Sequence, residues 1–307
     1  MKTARIGALE VSVVGLGCNN FGRALDAEGS ADVARAALDV GITYFDTASN
    51  YGDGHSEAFL GAALGARREE VVIGTKFGVP VPGWEGSGGA GPQYVRRAVE
   101  RSLQQLDTTY IDLLMIHFPD PESPIADTLS AMQELVDAGK VREIGCSNFS
   151  GDQLLMADQA SSDLGVSHLV CDQVEFSLVH REPQTDTTLE TCRRLGVALL
   201  PYYPLASGLL TGKTKRGQAP KGRLSMERYQ HYLTEANFDL VEGLETYAAE
   251  HSITMPQLAL GWLLSVDGVP AVTAGATTRE QVQANARAAD WVPSSEDLGQ
   301  LNALVAS

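Results

Sequence analysis

Short apolar, β-branched runs alternate along this chain with longer stretches in which apolar residues recur every three or four positions. The runs at 13–17, 43–46, 71–76, 111–117, 143–147, 169–173, 198–202 and 271–274 predict strands. The stretches at 31–39, 56–64, 94–106, 125–138, 153–161, 187–195 and 280–288 predict helices. Several runs (VVIGTK, IDLLMI, VALLPY) are apolar at consecutive positions, the pattern of parallel strands buried on both faces. Repeated strand–helix units of this kind predict an α/β fold, a (β/α)8 TIM barrel; a doubly wound open sheet would usually need fewer strands. Residues 5–11, turning at Gly7 and Ala8, read as an N-terminal β-hairpin placed to plug the bottom of the barrel. Residues 236–250 and 294–305 read as extra helices near the C-terminus. No linker rich in Pro, Ser or Gly divides the chain, so residues 1–307 are expected to form one domain. Two connections, 77–92 and 203–235, are long for this architecture, and such connections commonly carry binding function.

Composition narrows the function classes. The 307 residues are 44% hydrophobic and 20% charged, ordinary globular values, with a net charge of −16. That sign argues against a nucleic-acid partner and against an anionic membrane surface. An anionic small ligand must therefore be held by a local basic patch. Cys18, Cys146, Cys171 and Cys192 are widely spaced with no C-x-x-C pair, so no metal site, redox dithiol or disulfide framework is indicated, and a reduced cytoplasmic setting is expected. The N-terminal segment carries Glu10 within its apolar part and does not read as a signal peptide, and no apolar run approaches the ~18 residues of a membrane span.

In a parallel barrel the active site lies where the strands end. The second, third and fourth predicted barrel strands end at Asp46, Lys76 and His117, with Tyr51 in the loop after the second. Singly, each has a plain structural explanation: a helix cap, a solvated strand end, a packed ring, a satisfied core histidine. Together, at the mouths of three successive strands, they point to chemistry. A free tyrosine titrates near ~10 and is a poor acid at neutral pH. A lysine ammonium ~4 Å away would favour the phenolate by ~4 kcal/mol at an effective dielectric of ~20, before desolvation subtracts. The expectation is a phenol tuned downward, with Asp46 keeping Lys76 charged and His117 orienting a carbonyl oxygen for proton donation. Such a site supplies no reductant of its own, so a hydride must come from a cofactor.

A second feature is the segment LASGLLTG (205–212), whose small residues let backbone N–H groups approach an anion. Lys213, Lys215, Arg216, Lys221 and Arg223 follow, with no acidic residue from 213 to 223. GSGGAG (86–91) fits the dinucleotide fingerprint G-x-G-x-x-G but lies about ten residues beyond its strand, too far for the tight strand–turn–helix geometry, and reads instead as a mobile lid. GLLTGKT (208–214) is one residue short of a P-loop between its glycines.

DTASNYG, the strand-end lysine of IGTKFG, the strand-end histidine of IDLLMIHFPD, then IGCSNF, CDQVEFS, YYPLASGLLTGK and AGATTREQVQAN resemble the aldo-keto reductase superfamily, in order, from about residue 15 to 285. The resemblance implies that Tyr51 is the general acid, Lys76 and Asp46 its tuning pair, and His117 the carbonyl-orienting group. It implies NADP(H), with NAD(H) as a possible cofactor, bound extended and without a Rossmann fold. Ser147, Asn148 and Gln173 match the positions that hold the nicotinamide carboxamide, and Tyr202 the aromatic that stacks on its ring. Gly17, Cys18, Asn19 and Asp46 match cofactor-lining positions, as do Tyr203, Pro204, Leu205 and Ser207. Lys213 falls at the pyrophosphate, Arg223 near the adenosine, and Gly275, Thr277, Gln281 and Asn285 on the adenosine side. The last-strand loop lacks the basic residue that many NADP-preferring members carry, so NADP preference leans on Arg223. Asn20, Phe21, Trp84 and Phe118, with Tyr51 and His117, are expected to form an aromatic-walled pocket for apolar or aromatic carbonyl substrates. Potassium-channel beta subunits share this barrel, so a nicotinamide-binding regulatory or sensor subunit is the alternative function. Monomer or homo-oligomer is left open.

Overall fold

The computed structural model describes residues 1–306. The chain begins with two antiparallel strands, β1 (Thr3–Ile6) and β2 (Leu9–Ser12), with Ile6 opposite Leu9. Gly7 turns between them at φ 56°, and the Ala8 N–H donates to Glu143 Oε1 at 2.8 Å. The barrel strands are β3 (Val14–Gly17), β4 (Tyr44–Asp46), β5 (Val72–Phe77), β6 (Ile111–Ile116), β7 (Val141–Ser147), β8 (Cys171–Glu175), β9 (Ala198–Tyr202) and β10 (Val272–Gly275). They pair in parallel in the order β10-β3-β4-β5-β6-β7-β8-β9. β9 and β10 meet at the seam, where the Leu199 N–H donates to Gly268 O at 2.9 Å. This is the expected eight-stranded α/β barrel with its N-terminal hairpin.

The helices are α1 (Ala27–Asp39), α2 (Ser56–Leu64), α3 (Pro92–Gln105), α4 (Ile125–Asp137), α5 (Gly151–Leu164), the single turn α6 (Glu182–Thr185), α7 (Thr188–Leu195), α8 (Glu235–Glu250), α9 (Met255–Leu264), α10 (Arg279–Arg287) and α11 (Ser295–Ala306). Several starts follow local chemistry. Asp26 caps α1, and Ser150 with Gln153 forms a reciprocal capping box on α5. Thr254 with Gln257 forms another on α9, with Pro256 in its first turn. α9 has no counterpart in the predicted helices. Seven of its ten residues are buried, so it carries no polar face to set a period. The connection 203–234 is also less featureless than expected: it contains 3-10 turns at Ala206–Thr211, Gly222–Ser225 and Glu227–Tyr232.

Two apolar layers hold the barrel. The larger packs the outward faces of the strands against the helices. The smaller fills the barrel interior with Tyr44, Leu113, Met115, Cys171, Leu200 and Ala271, and Ile6, Leu9 and Val11 of the hairpin pack onto it. The hairpin therefore closes the N-terminal end of the strands, as expected, and leaves the opposite end for chemistry.

Candidate active site

At the carboxyl ends of β4 and β5, Lys76 Nζ donates to Asp46 Oδ1 at 2.7 Å and to the Thr47 carbonyl at 2.7 Å. Both side chains are almost wholly buried, so this is a desolvated ion pair that needs each of its bonds. Gln173, at the mouth of β8, donates from Nε2 to the same Asp46 Oδ1 at 3.0 Å. Lys76 Nζ lies 5.1 Å from the centre of the Tyr51 ring, and that ring meets His117 edge-on at 5.8 Å. The three strand-end residues and Tyr51 thus share one site.

Tyr51 opens a 3-10 turn, Tyr51–Gly54. The turn depends on Gly52: its φ is 58°, and a Cβ there would stand 2.1 Å from Phe21 O. His117 is fixed from below by its own N–H, which donates to Phe77 O at 2.8 Å, and from above by Phe118, stacked at 5.2 Å and half exposed. Its buried Nδ1 has no partner. Burial first, and the Lys76 charge second, lower the imidazole to about 3, so it is neutral at physiological pH.

The phenol of Tyr51 departs from expectation. It is pushed well above its ordinary range, by burial first and then by the Asp46 carboxylate, with Arg223 the cation that opposes them. Burial is the larger cost, and the pair does not offset it. Lys76 is already neutralised by Asp46 at 2.7 Å, so the couple offers a phenolate little net attraction. Tyr51 keeps its proton.

Beside this cluster lies a polar shelf. Ser147 Oγ donates to Gln173 O at 2.6 Å, and Asn148 Nδ2 donates to His117 O at 2.9 Å. Tyr202 donates its hydroxyl to Asn148 Oδ1 at 2.9 Å. Asn148 holds a left-handed backbone at φ 62°. Tyr203 meets Tyr202 edge-on at 5.1 Å, and its hydroxyl is 3.1 Å from that of Tyr229, a residue without a periodic signal in the sequence. Cys18 is fully buried; its backbone N–H donates to Asp46 O at 2.8 Å, next to Gly17 at the end of β3.

The basic segment proves divided. Lys215 pairs with Glu245, and Arg216 with Glu235, Asp239 and Glu242, an acidic ridge along α8. Among the described residues Lys213, Lys221 and Arg223 have no carboxylate at ion-pair distance. Arg223 instead donates to the side-chain oxygens of Asn19 and Asn20 and lies over the Tyr203 ring at 5.9 Å. Asn20 donates in turn to Ala276 O at 3.1 Å, so the loop reaches across to β10. There Gln281 Oε1 accepts from Thr277 N at 2.7 Å, and Asn285 Nδ2 donates to Gly275 O at 3.4 Å. Arg279 is tied to Asp32 and Asp39 of α1.

These residues fit an extended nucleotide cofactor. Ser207 follows Pro204 and Leu205 in a left-handed stretch, φ 46° at Ala206 and 55° at Ser207, and its hydroxyl is buried without a partner. Asn50 Oδ1, beside Tyr51, is likewise unsatisfied. Positions beyond Gly208, Gly217 and Gly222 are open.

Two expected pocket residues turn their rings to other partners. Phe21 is fully buried in the helical layer, because the chain turns its ring inward before α1. Trp84 has its ring contacts on α3, against Tyr94 at 5.6 Å and under Arg97 and Arg101 at 5.3 and 5.2 Å; two cations and a ring outcompete the mouth. The segment 86–91 beyond it, expected as a mobile lid, is held by Gly89 N to Gly78 O at 2.8 Å and Ala90 N to Asp120 Oδ2 at 2.7 Å. Phe118 stacks on His117, and Asn20 accepts from Arg223.

A family model described as the aldo/keto reductase family matches residues 13–306. The chain is 33% identical to a probable voltage-gated potassium channel subunit beta of Arabidopsis thaliana, over 93% of this chain and 89% of that protein. It is 32% identical to the L-glyceraldehyde 3-phosphate reductase of Escherichia coli K12, over 94% and 87%. It is also 32% identical to an NADH-specific methylglyoxal reductase of the same organism, over 94% and 93%. No described helix is long and apolar enough to cross a membrane.

Proposed function

The chain belongs to the aldo/keto reductase family and is an NAD(P)H-dependent oxidoreductase; on that premise we propose that it reduces aldehydes or ketones to alcohols, with Tyr51 as the general acid. The observation that carries this reading is the buried Lys76–Asp46 pair at 2.7 Å, with Gln173 on the same carboxylate and Tyr51 and His117 around it. When bound, reduced nicotinamide would supply the hydride for the carbonyl carbon. Tyr51 supplies the proton to the carbonyl oxygen, which becomes basic enough to take it as negative charge develops there. A phenol that holds its proton at neutral pH is always in the donor form. His117, neutral, orients the same oxygen through one ring nitrogen. Lys76 spends two of its three N–H donors on Asp46 and Thr47, which leaves one for the phenol oxygen as it gives up its proton.

Ser147, Asn148 and Gln173 would hold the carboxamide, and Tyr202 would present its ring to the nicotinamide. Leu205, Ser207 and Lys213 would serve the pyrophosphate, and Gly275, Thr277, Gln281 and Asn285 the adenosine side. NADP(H) is the preferred form on this reading because Lys213, Lys221 and Arg223 are free of carboxylates, whereas the neutral Gly275, Thr277, Gln281 and Asn285 also admit NAD(H). The substrate is a small carbonyl compound against Phe118 and Tyr203 rather than Trp84 and Phe21.

Tyr51→Phe should leave cofactor binding intact and lower turnover by at least ~10²-fold. Unchanged carbonyl reduction in that variant would sink the mechanism. A second reading, a sensor subunit with little turnover, is favoured by the likeness to proteins named as channel beta subunits. Stopped-flow oxidation of bound NADPH by a panel of carbonyls separates the two: rapid multiple turnover fits the enzyme, a single slow turnover the sensor.

A further inference from the structure

Asp172 is a buried carboxylate with no part in the chemistry above. On β8 its neighbours Cys171 and Gln173 face the barrel interior, so Asp172 faces the helical layer, where it is fully buried. Its Oδ1 accepts the Phe149 N–H at 3.3 Å and the Cys146 thiol at 3.5 Å, and its Oδ2 has no partner. The titratable groups around it are Cys146 on β7, Cys171 on β8, Cys192 on α7, Asp186 between α6 and α7, and Tyr202 on β9; none is a cation. A carboxylate left this way is costly to bury, so its one backbone contact acquires interest.

That contact adjoins the polar shelf. Phe149 follows Asn148, whose left-handed backbone is uncommon for residues other than glycine, though asparagine enters it more readily than most. Two bonds flank it: Asn148 N to Gln173 O at 3.0 Å before, and Phe149 N to Asp172 after. Between them the Asn148 side chain bridges His117 O and the Tyr202 hydroxyl. We propose that Asp172 is a positioning residue for the turn at 147–149: by accepting the Phe149 N–H it fixes the backbone of Asn148 and hence the aim of the side chain that holds the cofactor. The inference rests on the reading of Asn148 as a cofactor residue given above.

Burial drives Asp172 up to about 7, so the group changes charge near neutrality. A carboxylate accepts a hydrogen bond roughly twice as strongly as a neutral acid, so the turn slackens as the pH falls. The test is fluorescence titration of the whole protein with NADPH from pH 5.5 to 8.5, in the wild type and in Asp172→Asn. The amide keeps an acceptor and loses the charge. The variant should bind roughly fivefold more weakly than the wild type at pH 8.5 and equally at pH 5.5, with a midpoint near 7; taking the ratio cancels titration of the ligand. A ratio of one throughout, or a constant ratio at every pH, overturns the proposal. Should the variant not fold, the wild type titrated with NADH, which lacks a titrating 2′-phosphate, must show the same roughly fivefold loss on acidification; flat affinity overturns it equally. Asn148→Ala is the control for the underlying reading. If that variant binds as the wild type does, the assignment of the shelf fails; if it binds weakly while Asp172→Asn behaves as wild type, only the role of Asp172 fails.

Discussion

Proton donation by Tyr51 requires the phenol protonated and His117 neutral, and the site holds both conditions far from neutrality on either side. The imidazole titrates at about 3, and the phenol is driven above its ordinary range. The turnover number at saturating cofactor and substrate should therefore be flat from about pH 6 to 9, because it reports groups in the bound complex. A bell centred near neutrality would contradict these assignments. The pair beneath makes a second expectation. Lys76→Met leaves Asp46 charged and buried, and should cost ~3–5 kcal/mol in urea unfolding, whereas Lys76→Met with Asp46→Leu should recover much of it. Asp46, Lys76 and His117 were legible because a strand end fixes where a residue goes, and Tyr51 because its loop follows directly from one. Phe21 and Trp84 were not, since an aromatic in a loop turns toward whichever packing partner the fold supplies, here the helical layer and the two arginines of α3. The direction of the phenol escaped for a related reason. Sequence names the neighbouring charges but not how deeply the phenol is buried, nor that a carboxylate at 2.7 Å has already cancelled the useful one.

Elements were legible in proportion to their periodicity. α3 and α7 bury one face and expose the other, and the alternation predicts them closely. α9 is buried almost all round, so periodicity had nothing to register; Thr254, Pro256 and Gln257 were the available sign. Thr254→Ala should cost ~1 kcal/mol, read as a small fall in the denaturant midpoint with an unchanged slope. The turn carrying Tyr51 is more exacting. Gly52→Ala puts a methyl into the Phe21 carbonyl at a positive φ, so Tyr51 has to move. Turnover should fall more than tenfold while NADPH affinity changes little, as steady-state kinetics beside fluorescence titration would record; a displacement of ~1 Å at a reacting group is enough for that.

Across the whole molecule, two buried groups set opposite slopes on stability against pH. His117 is lowered from 6.5 to about 3, so the unfolded chain takes up that proton first and stability is lost as the pH falls through that window. Asp172 is raised from 3.8 to about 7, so the fold holds that proton first and its contribution is lost as the pH rises. Between about pH 4 and 6.5 the two nearly cancel. Asp172→Asn should expose the histidine slope, up to ~1.4 kcal/mol per pH unit, in urea melts at pH 4.5 and 6.5. A parallel shift of both melts would contradict this. The hairpin of β1 and β2 bears on the same interior. Ile6, Leu9 and Val11 pack onto the interior layer and seal the amino-terminal end of the strands with apolar side chains. A ligand seated over Tyr51 and His117 at the other end would leave the Lys76–Asp46 pair with no wet side, so filling the site and drying it would be one event.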